Sequence, residues 1–315
     1  MRYYAGIDLG GTYIKLSVID ETGNIHRKEK TETPKGSEYI KTVEMIARSV
    51  RELASKGGVR LEGAGIGSPG VIDGKKGIVV TSNNLGWENR PLAKDLSVAL
   101  EMPVYLTNDA NAAALGEYAF GAGKKYESLV LLTLGTGIGS GIVIDGKLFE
   151  GNCGAGAELG HMTIRCDGMG CSCGRRGCYE MYASASALVR QTKQAMRENK
   201  LSRMWKLCGG KLSAVDGKTA FEAARLGDTA AEQVLEKYIG YLAEGIADII
   251  NIFRPQAILL GGGISAEKEN LTKPLEKWVN ELILGKGAYA PVKIETASLG
   301  NDAGIYGAAK LAMDR

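Results

Sequence analysis

The sequence predicts an α/β protein built from two related domains. Segments typical of strands alternate with segments typical of helices along most of the 315 residues, and this alternation is the pattern of α/β proteins. A strand, a glycine turn and a second strand occur near residue 8 and again near residue 133, an offset of 133 − 8 = 125 residues. The repeat predicts a duplicated domain with a cleft between the copies, although two unrelated glycine hairpins would give the same pattern.

The individual elements follow from apolar runs and from the residues that bound them. The predicted strands span residues 4–9, 14–19, 61–66, 104–107, 129–133, 141–144, 257–260 and 292–296. The predicted helices span residues 38–54, 91–100, 111–118, 184–197, 229–251 and 271–282. Pro91 suits the first turn of its helix, where no amide donor is needed.

Composition and charge argue against several classes of function. The net charge is +3 and the 39 basic residues are scattered, so no basic stripe indicates a nucleic-acid partner. No apolar run reaches the length of a membrane-spanning helix, and the first residues resemble a strand rather than a secretory signal. We therefore expect a cytoplasmic protein with neither a nucleic-acid nor a membrane partner.

The two glycine turns of the repeat are candidates for phosphate binding. They consist of Gly10, Gly11 and Thr12 in the first copy and of Gly135, Thr136 and Gly137 in the second. Such turns leave main-chain amides uncovered, and uncovered amides bind anions. The alternative is a pair of tight hairpins that use glycine only for its conformation. Asp8 is a candidate Mg²⁺ ligand, and Lys15 is a further expected contact of the nucleotide.

A third glycine cluster follows a predicted strand late in the chain. It consists of Gly261, Gly262 and Gly263. Bare backbone at this position would allow an adenine ring to lie against it. With Ala266 the stretch also loosely fits a dinucleotide-binding fingerprint, but the strand and acidic residue that should follow are not evident. We expect a contact with the nucleotide base.

The cysteines indicate a metal site. Four of the six lie between residues 166 and 178, which in a reducing compartment favours a metal over disulfides. The expected ligands are His161, Cys171, Cys173 and Cys178. One imidazole and three thiolates form the donor set of a closed, structural zinc site. Reduced structural thiols are the alternative, Cys166 is a rival ligand, and Cys153 and Cys208 are expected in the core.

Asp109 stands where a predicted strand passes into a helix. It is a candidate general base that accepts the proton of an attacking hydroxyl, with Asn108 positioning a neighbouring hydroxyl. The alternative role for Asp109 is that of a helix N-cap. Glu158, His161 and Glu180 would surround the hydroxyls of a polyol, unless the two glutamates are ordinary surface acids.

Two loops supply further candidate contacts for a sugar. Ser68 lies in a stiff turn after a strand, and Asn83 and Asn84 precede Trp87 in a loop that offers two amides and an indole. Taken alone, each would be a plain loop.

Together these motifs resemble the ROK family (repressors, open reading frames and kinases), and within it the bacterial glucokinases. The resemblance runs from residue 7 to about residue 307 and is most specific between Glu158 and Glu180. It implies an actin-like, ribonuclease-H-like fold of two domains with an interdomain cleft. We expect residues 1–115 with 301–315 to form a smaller α/β domain, and residues 116–300 to form a larger one that carries the zinc loop.

The resemblance also implies a reaction and its cofactors. These are ATP with Mg²⁺, a structural Zn²⁺ on the four ligands above, and transfer of the γ-phosphate to the 6-hydroxyl of a hexose. Asp109 is the implied base, the implied sugar ligands are Asn108, Glu158, His161 and Glu180, and a homodimer is expected. Residues 83–87 are similar to the corresponding loop of glucokinases, which favours glucose.

Other functions remain open at this point. The substrate could be N-acetylmannosamine, N-acetylglucosamine, allose or fructose. A sugar-responsive repressor shares the fold and zinc site but needs a helix-turn-helix, for which the seven residues before Asp8 are too few. An actin-like scaffold or chaperone would not require Asp109. We expect a hexose kinase.

Overall fold

The computed structural model describes residues 1–34 and 38–315 and divides them into two compact units. Unit 1 consists of Met1–Leu131, Gly141–Ala157 and Ser298–Arg315, and unit 2 of Leu132–Ser140 and Glu158–Ala297. Unit 1 is thus longer than the predicted smaller domain. The predicted domains, residues 1–115 with 301–315 and residues 116–300, stay a prediction.

Strands and α-helices alternate through the described residues. The strands are β1 (Tyr3–Leu9), β2 (Tyr13–Asp20), β3 (Ile25–Glu32), β4 (Leu61–Ser68), β5 (Val71–Asp73), β6 (Ile78–Ser82), β7 (Trp87–Arg90), β8 (Val104–Asn108), β9 (Leu129–Leu134), β10 (Ile138–Ile144), β11 (Lys147–Phe149), β12 (Ala257–Gly261) and β13 (Lys293–Thr296). The helices are α1 (Tyr39–Gly57), α2 (Leu92–Leu100), α3 (Asp109–Phe120), α4 (Glu180–Ala183), α5 (Ala185–Glu198), α6 (Met204–Leu207), α7 (Thr219–Arg225), α8 (Thr229–Phe253), α9 (Glu269–Leu282) and α10 (Ala303–Met313). These helices are too short or too polar to cross a lipid bilayer.

Two five-stranded sheets have the same strand order. The first is β3-β2-β1-β4-β8 and the second is β11-β10-β9-β12-β13. In each, a three-strand meander is extended, on the side of its first strand, by the later strands. In the first sheet β1 is antiparallel to β2 and parallel to β4. The shared order supports the duplication that the glycine hairpins suggested.

The first sheet separates two apolar layers because side chains alternate between its faces. On one face Ile7 and Leu16 belong to a core that includes Ile46 of α1. On the other face Tyr4 and Ile19 pack against α10. The C-terminal helix is therefore part of the core of unit 1.

Helix α10 packs so closely that main chain meets main chain. A Cβ on Gly6 would lie 2.0 Å from the carbonyl oxygen of Ile305, and one on Gly65 would lie 1.8 Å from that of Ala308. Such distances exclude every side chain larger than hydrogen at these two positions of β1 and β4.

All predicted strands and helices occur, with bounds that differ by up to three residues. Pro91 is the residue before α2 rather than part of its first turn. The sequence did not reveal β3 or α10. Strand β3 is a polar edge strand, and α10 is rich in alanine and glycine, so neither has a clear apolar stripe.

Glu117 joins α3 to the segment that leads into α10. Its carboxylate is fully buried. It accepts hydrogen bonds from the amides of Ala122 at 2.9 Å, Ser298 at 3.1 Å and Leu299 at 2.7 Å. The hydroxyl of Ser298 also donates to it, at 3.3 Å. These four donors match the acceptor capacity of a carboxylate, which holds two distant stretches of unit 1 together.

We expect Glu117→Gln to lower the free energy of unfolding by about 2–4 kcal/mol, because an NH₂ group would face a main-chain donor in a buried site. Urea denaturation measures the change. Glu52→Gln is the matched control, because the Glu52 side chain is 50% exposed and forms an ion pair with Lys56 on the surface of the same helix. Equal stability of the two variants would contradict a structural role for Glu117.

Candidate active site

The first candidate phosphate turn, residues 10–12 of unit 1, is held by hydrogen bonds on one side and exposed on the other. The amide of Gly10 donates to the carbonyl of Tyr13 at 3.0 Å, and the Thr33 hydroxyl donates to the carbonyl of Gly10 at 2.6 Å. Gly11 and Thr12 are exposed. The turn can therefore offer main-chain amides to an anion. The contact of Thr33 with this turn was not predictable from the sequence, because no local pattern links residue 33 to residue 10.

Asp8 already has a cation beside it. Lys15 Nζ lies 3.0 Å from Asp8 Oδ2 and donates to the carbonyl of Asn301 at 2.7 Å. Gly304 makes room for the carboxylate, since a Cβ there would lie 2.9 Å from Asp8 Cγ. An anionic oxygen that attracts an ammonium group next to a phosphate turn has the chemistry of a Mg²⁺ ligand.

The asparagine loop lies next to the same turn. A Cβ on Gly11 would be 3.4 Å from both Cβ and the carbonyl oxygen of Asn84. Asn83 and Asn84 are exposed. Trp87 corrects the sequence interpretation: it is 2% exposed and packs edge-on against Tyr39, so its indole belongs to the core rather than to a sugar-binding surface.

Ser68 ends β4, where it pairs in register with Asn108 of β8. It is fully buried, and its hydroxyl has no hydrogen-bond partner among the described residues. A buried hydroxyl without a partner is unusual. Its role as a sugar contact stays a prediction.

Asn108, not Asp109, caps helix α3. Asn108 Oδ1 accepts hydrogen bonds from the amides of Ala110 at 2.9 Å and Asn111 at 3.4 Å, and Nδ2 donates to the carbonyl of Gly70 at 3.0 Å. The amide group of Asn108 thus has protein partners at both ends. Asp109 is the first residue of the helix, so the N-cap alternative for it is wrong.

The environment of Asp109 disfavours its charged form. The side chain is accessible to solvent, yet enough protein surrounds it to remove part of its hydration. This loss of solvation raises the pKa of Asp109 above its usual value, and the negative charge of Asp8 raises it further, while a hydrogen bond from the amide of Ala110 opposes the shift. A carboxylate with a raised pKa is a stronger proton acceptor than an ordinary aspartate.

The second phosphate turn, in unit 2, is also stabilised by main-chain bonds. The amide of Gly135 donates to the carbonyl of Gly137 at 3.0 Å, and the amide of Ala185 donates to the carbonyl of Gly135 at 3.0 Å. Thr136 is exposed. The turn therefore presents an accessible apex with a fixed base.

The third glycine cluster lies beside the second turn. Gly262 has φ +84°, and a Cβ on it would lie 2.3 Å from the carbonyl oxygen of Leu134, the residue before the turn. Gly261 is buried at the end of β12, whereas Gly262 and Gly263 are exposed. A Cβ on Gly263 would meet no atom within 4 Å. Bare, accessible backbone thus adjoins the phosphate turn, as a nucleotide contact requires.

The four predicted metal ligands come together. One donor atom from each of His161, Cys171, Cys173 and Cys178 lies within 4.8 Å of all the others. The Sγ atoms of Cys173 and Cys178 are 3.6 Å apart, and His161 Nδ1 is 3.7 Å from Cys171 Sγ. Zn–S bonds of about 2.3 Å and Zn–N bonds of about 2.1 Å give tetrahedral edges of about 3.8 and 3.6 Å. Spacing and donor chemistry therefore fit Zn²⁺.

The other cysteines are outside this cluster. Cys166 is exposed. Cys208 is buried as predicted. The prediction for Cys153 is wrong: it is exposed and has φ +58° in a glycine-rich turn, a conformation set by the neighbouring backbone rather than by core packing.

Two of the predicted sugar ligands are close to the cluster. Glu180 Oε1 lies 3.1 Å from Cys171 Sγ and 3.7 Å from His161 Nδ1. Since Nδ1 of His161 faces Cys171 Sγ, Nε2 is the second ring nitrogen that a ligand could use. Glu158 begins the same segment, and its carbonyl accepts the amide of His161 at 3.0 Å.

The raised pKa of Asp109 should make the stability of the fold depend on pH. A carboxylate whose pKa is higher in the folded state destabilises that state once it ionises, so the penalty appears as pH rises above the ordinary carboxyl range. We expect Asp109→Asn to raise the melting temperature at pH 8 and to have little effect near pH 4. Thermal unfolding without ligands at both pH values measures this. A variant that is less stable at pH 8 would contradict the assignment.

Comparison with known proteins gives consistent results. The model of the ROK family matches residues 4–315. Glucokinase of Thermotoga maritima is 40% identical over 313 residues, which cover 98% of this chain and 97% of that protein. The solved structure of a ROK family glucokinase from Streptomyces griseus in complex with glucose and AMPPNP has a TM-score of 0.83 and 37% identity, covering 99% of this chain and 100% of that one. The xylose repressor of Caldicellulosiruptor bescii is 32% identical over 96% of this chain and 76% of its own length.

Proposed function

The chain belongs to the ROK family, and from this premise we propose that it is an ATP-dependent kinase that phosphorylates the 6-hydroxyl of glucose. The predicted actin-like α/β fold is confirmed by the match to the ROK glucokinase structure. Similarity to glucokinases over nearly the whole chain supports glucose as the substrate. ATP is the corresponding phosphoryl donor.

The observation that carries the proposal is the environment of Asp109 at the start of α3. The neighbouring Asn108 satisfies the first amides of α3, so Asp109 is not needed as the cap. Its pKa is raised and its side chain is accessible. In the proposed reaction Asp109 accepts the proton of the 6-hydroxyl as that oxygen attacks the γ-phosphorus, and ADP leaves.

The remaining residues bind and orient the reactants. The amides of Gly10 and Gly135 already donate within the protein, so the other main-chain amides of the two turns, at residues 11–12 and 136–137, would donate to phosphate oxygens. Gly261–Gly263 would contact the base. Asp8 would hold Mg²⁺, which neutralises phosphate charge when it is bound. Lys15, hydrogen-bonded to Asp8 and Asn301, would fix the position of that carboxylate. Phosphoryl transfer depends mainly on such positioning and charge.

Sugar ligands are proposed in each unit. Unit 1 would provide Ser68, Asn83, Asn84 and Asn108, and unit 2 would provide Glu158, His161 and Glu180. Because both ends of the Asn108 amide already have protein partners, this residue would bind sugar only by sharing or exchanging one of those bonds. The proposed contacts comprise carboxylates, amides and an imidazole, which suit hydroxyls that both donate and accept.

Zn²⁺ is proposed as a structural cofactor. His161, Cys171, Cys173 and Cys178 would hold it, and four protein ligands would close its coordination shell. Bound zinc would supply fixed geometry to residues 158–180 rather than Lewis-acid chemistry. A homodimer and a cytoplasmic location stay predictions.

A coupled assay of ADP release over a panel of sugars tests the function. We expect glucose to give the highest kcat/KM, ahead of fructose, allose, N-acetylglucosamine and N-acetylmannosamine. A higher value for another hexose would replace glucose as the substrate. If no sugar stimulates release, a non-enzymatic regulator becomes the better explanation.

We expect Asp109→Asn to lower kcat by about 100-fold or more while leaving glucose binding measurable, because proton acceptance alone is lost. Turnover assays and calorimetric titration with glucose measure the two effects. The raised pKa also predicts that wild-type kcat/KM falls with acidification at a pH above the usual aspartate range. Near-normal turnover of the variant would rule out Asp109 as the base.

We expect Cys171→Ser to lose bound zinc and to weaken glucose binding, because Glu158, His161 and Glu180 would no longer be held in place. Elemental analysis and glucose titration measure this. Cys208→Ser is the control, because Cys208 is buried away from the cluster. A wild-type protein without zinc would refute the metal site.

A further inference from the structure

We propose that the metal cluster and Glu180 position the second phosphate turn, so that the cluster supports nucleotide binding in addition to sugar binding. The inference rests on the proposed function, because it requires that the turn at residues 135–137 binds phosphate. It assigns a second role to Glu180, that of a positioning residue for the nucleotide. All the contacts that carry it lie within unit 2.

The segment before the first ligand packs directly on the strand that follows the turn. A Cβ on Gly160 would lie 2.1 Å from the carbonyl oxygen of Ile138, the first residue of β10. The amide of Leu159 donates to the hydroxyl of Ser140 at 3.0 Å, in a buried position. His161 is the next residue after Gly160, so the position of this metal ligand is tied to the start of β10.

Glu180 connects the cluster to the turn itself. Its Oε1 atom faces the cluster, 3.1 Å from Cys171 Sγ. Its Oε2 atom accepts the amide of Ile138 at 3.4 Å and occupies the space beside Gly137, where a Cβ would lie 2.2 Å from it. One carboxylate thus touches a metal ligand on one side and the phosphate turn on the other.

The chain after the last ligand supports the base of the turn. Cys178 is followed by Tyr179, whose amide donates to the carbonyl of Met162 at 2.7 Å. Glu180 then begins α4, and the amide of Ala185, at the start of α5, donates to the carbonyl of Gly135 at 3.0 Å. The turn is therefore contacted from both flanks of the metal-binding segment.

That segment has little regular structure with which to hold its own position. Between residues 158 and 180 it contains one short 3₁₀ turn and isolated bridges at Thr163 with Cys178 and Gly170 with Arg176. A metal that crosslinks such a segment supplies the free energy that orders it. Without the metal, the contacts on Ile138 and Gly137 lose their fixed support, and the turn loses its shape.

Nucleotide binding in the absence of sugar tests the role of the cluster. Calorimetric titration with Mg²⁺ and AMPPNP compares zinc-loaded wild type, chelator-treated wild type and Cys173→Ser, which removes a ligand other than Cys171, the one hydrogen-bonded to Glu180. We expect Kd to rise about tenfold in the last two, within the range usual for coupled sites, and to recover when zinc is restored to the chelated wild type. Unchanged affinity in folded, metal-free protein would overturn the proposal.

A double-mutant cycle tests the role of Glu180 and does not depend on removing the metal. Gly137→Ala would push Glu180 aside, and its φ is outside the left-handed region, so alanine is not excluded by the backbone. We expect Gly137→Ala to weaken AMPPNP binding in the wild-type background but to have little effect in Glu180→Ala. Equal losses in both backgrounds would mean that the methyl group meets the phosphate directly, which would overturn the role of Glu180.

Gly135→Ala is the matched control, because a Cβ there would have no atom of the described residues within 4 Å. We expect Gly135→Ala to change AMPPNP affinity by the same factor in the wild-type and the Glu180→Ala backgrounds. Failure of wild type to bind AMPPNP under any metal condition would refute the kinase function. If AMPPNP affinity is the same with and without the metal, and with and without Glu180, only the positioning role of the cluster and Glu180 is refuted.

Discussion

Close approach of one main chain to another is the constraint on which both units depend. In unit 1 a Cβ on Gly307 of α10 would lie 1.6 Å from the carbonyl oxygen of Ala112 in α3, the helix that begins with Asp109. In unit 2 a Cβ on Gly160 or Gly262 would collide with the strand ends that flank the second turn. Since packed interiors have little free volume, a single methyl group at these glycines would move a strand or helix that carries candidate site residues.

The regular elements were predictable because periodicity and glycine turns are local signals. Helix α10 was not, because its small residues are buried on most sides against β1, β4 and α3. A helix packed in this way lacks the polar face that makes amphipathic helices recognisable. The clustering of His161, Cys171, Cys173 and Cys178 was predictable for the opposite reason: a zinc site requires specific donor atoms, and these side chains are chemically distinct in any fold.

The allocation of hydrogen bonds within the site was less predictable. The sequence places Asn108 and Asp109 side by side at a helix start, and either side chain suits an N-cap. The backbone conformation determines which residue is the N-cap. Asn108 has extended backbone geometry and its side chain accepts hydrogen bonds from the helix amides, so Asp109 is the first helical residue. Trp87 presented a similar ambiguity, since an indole suits a sugar surface and a core equally well. Only packing against Tyr39 resolves it.

The two five-stranded sheets hold their glycine turns, the candidate phosphate-binding turns, by different means. In unit 1 the turn is secured by Thr33, the residue directly after edge strand β3 of the same sheet: its hydroxyl donates to the carbonyl of Gly10 and its amide to that of Thr12. In unit 2 the corresponding support comes from Gly160, Glu180 and Ala185, which flank an irregular segment. Ordering irregular chain costs about 1–2 kcal/mol per residue in backbone entropy. A zinc ion on the proposed ligands would offset part of that cost. This would account for a His–Cys cluster beside one copy of the turn and a β-strand beside the other.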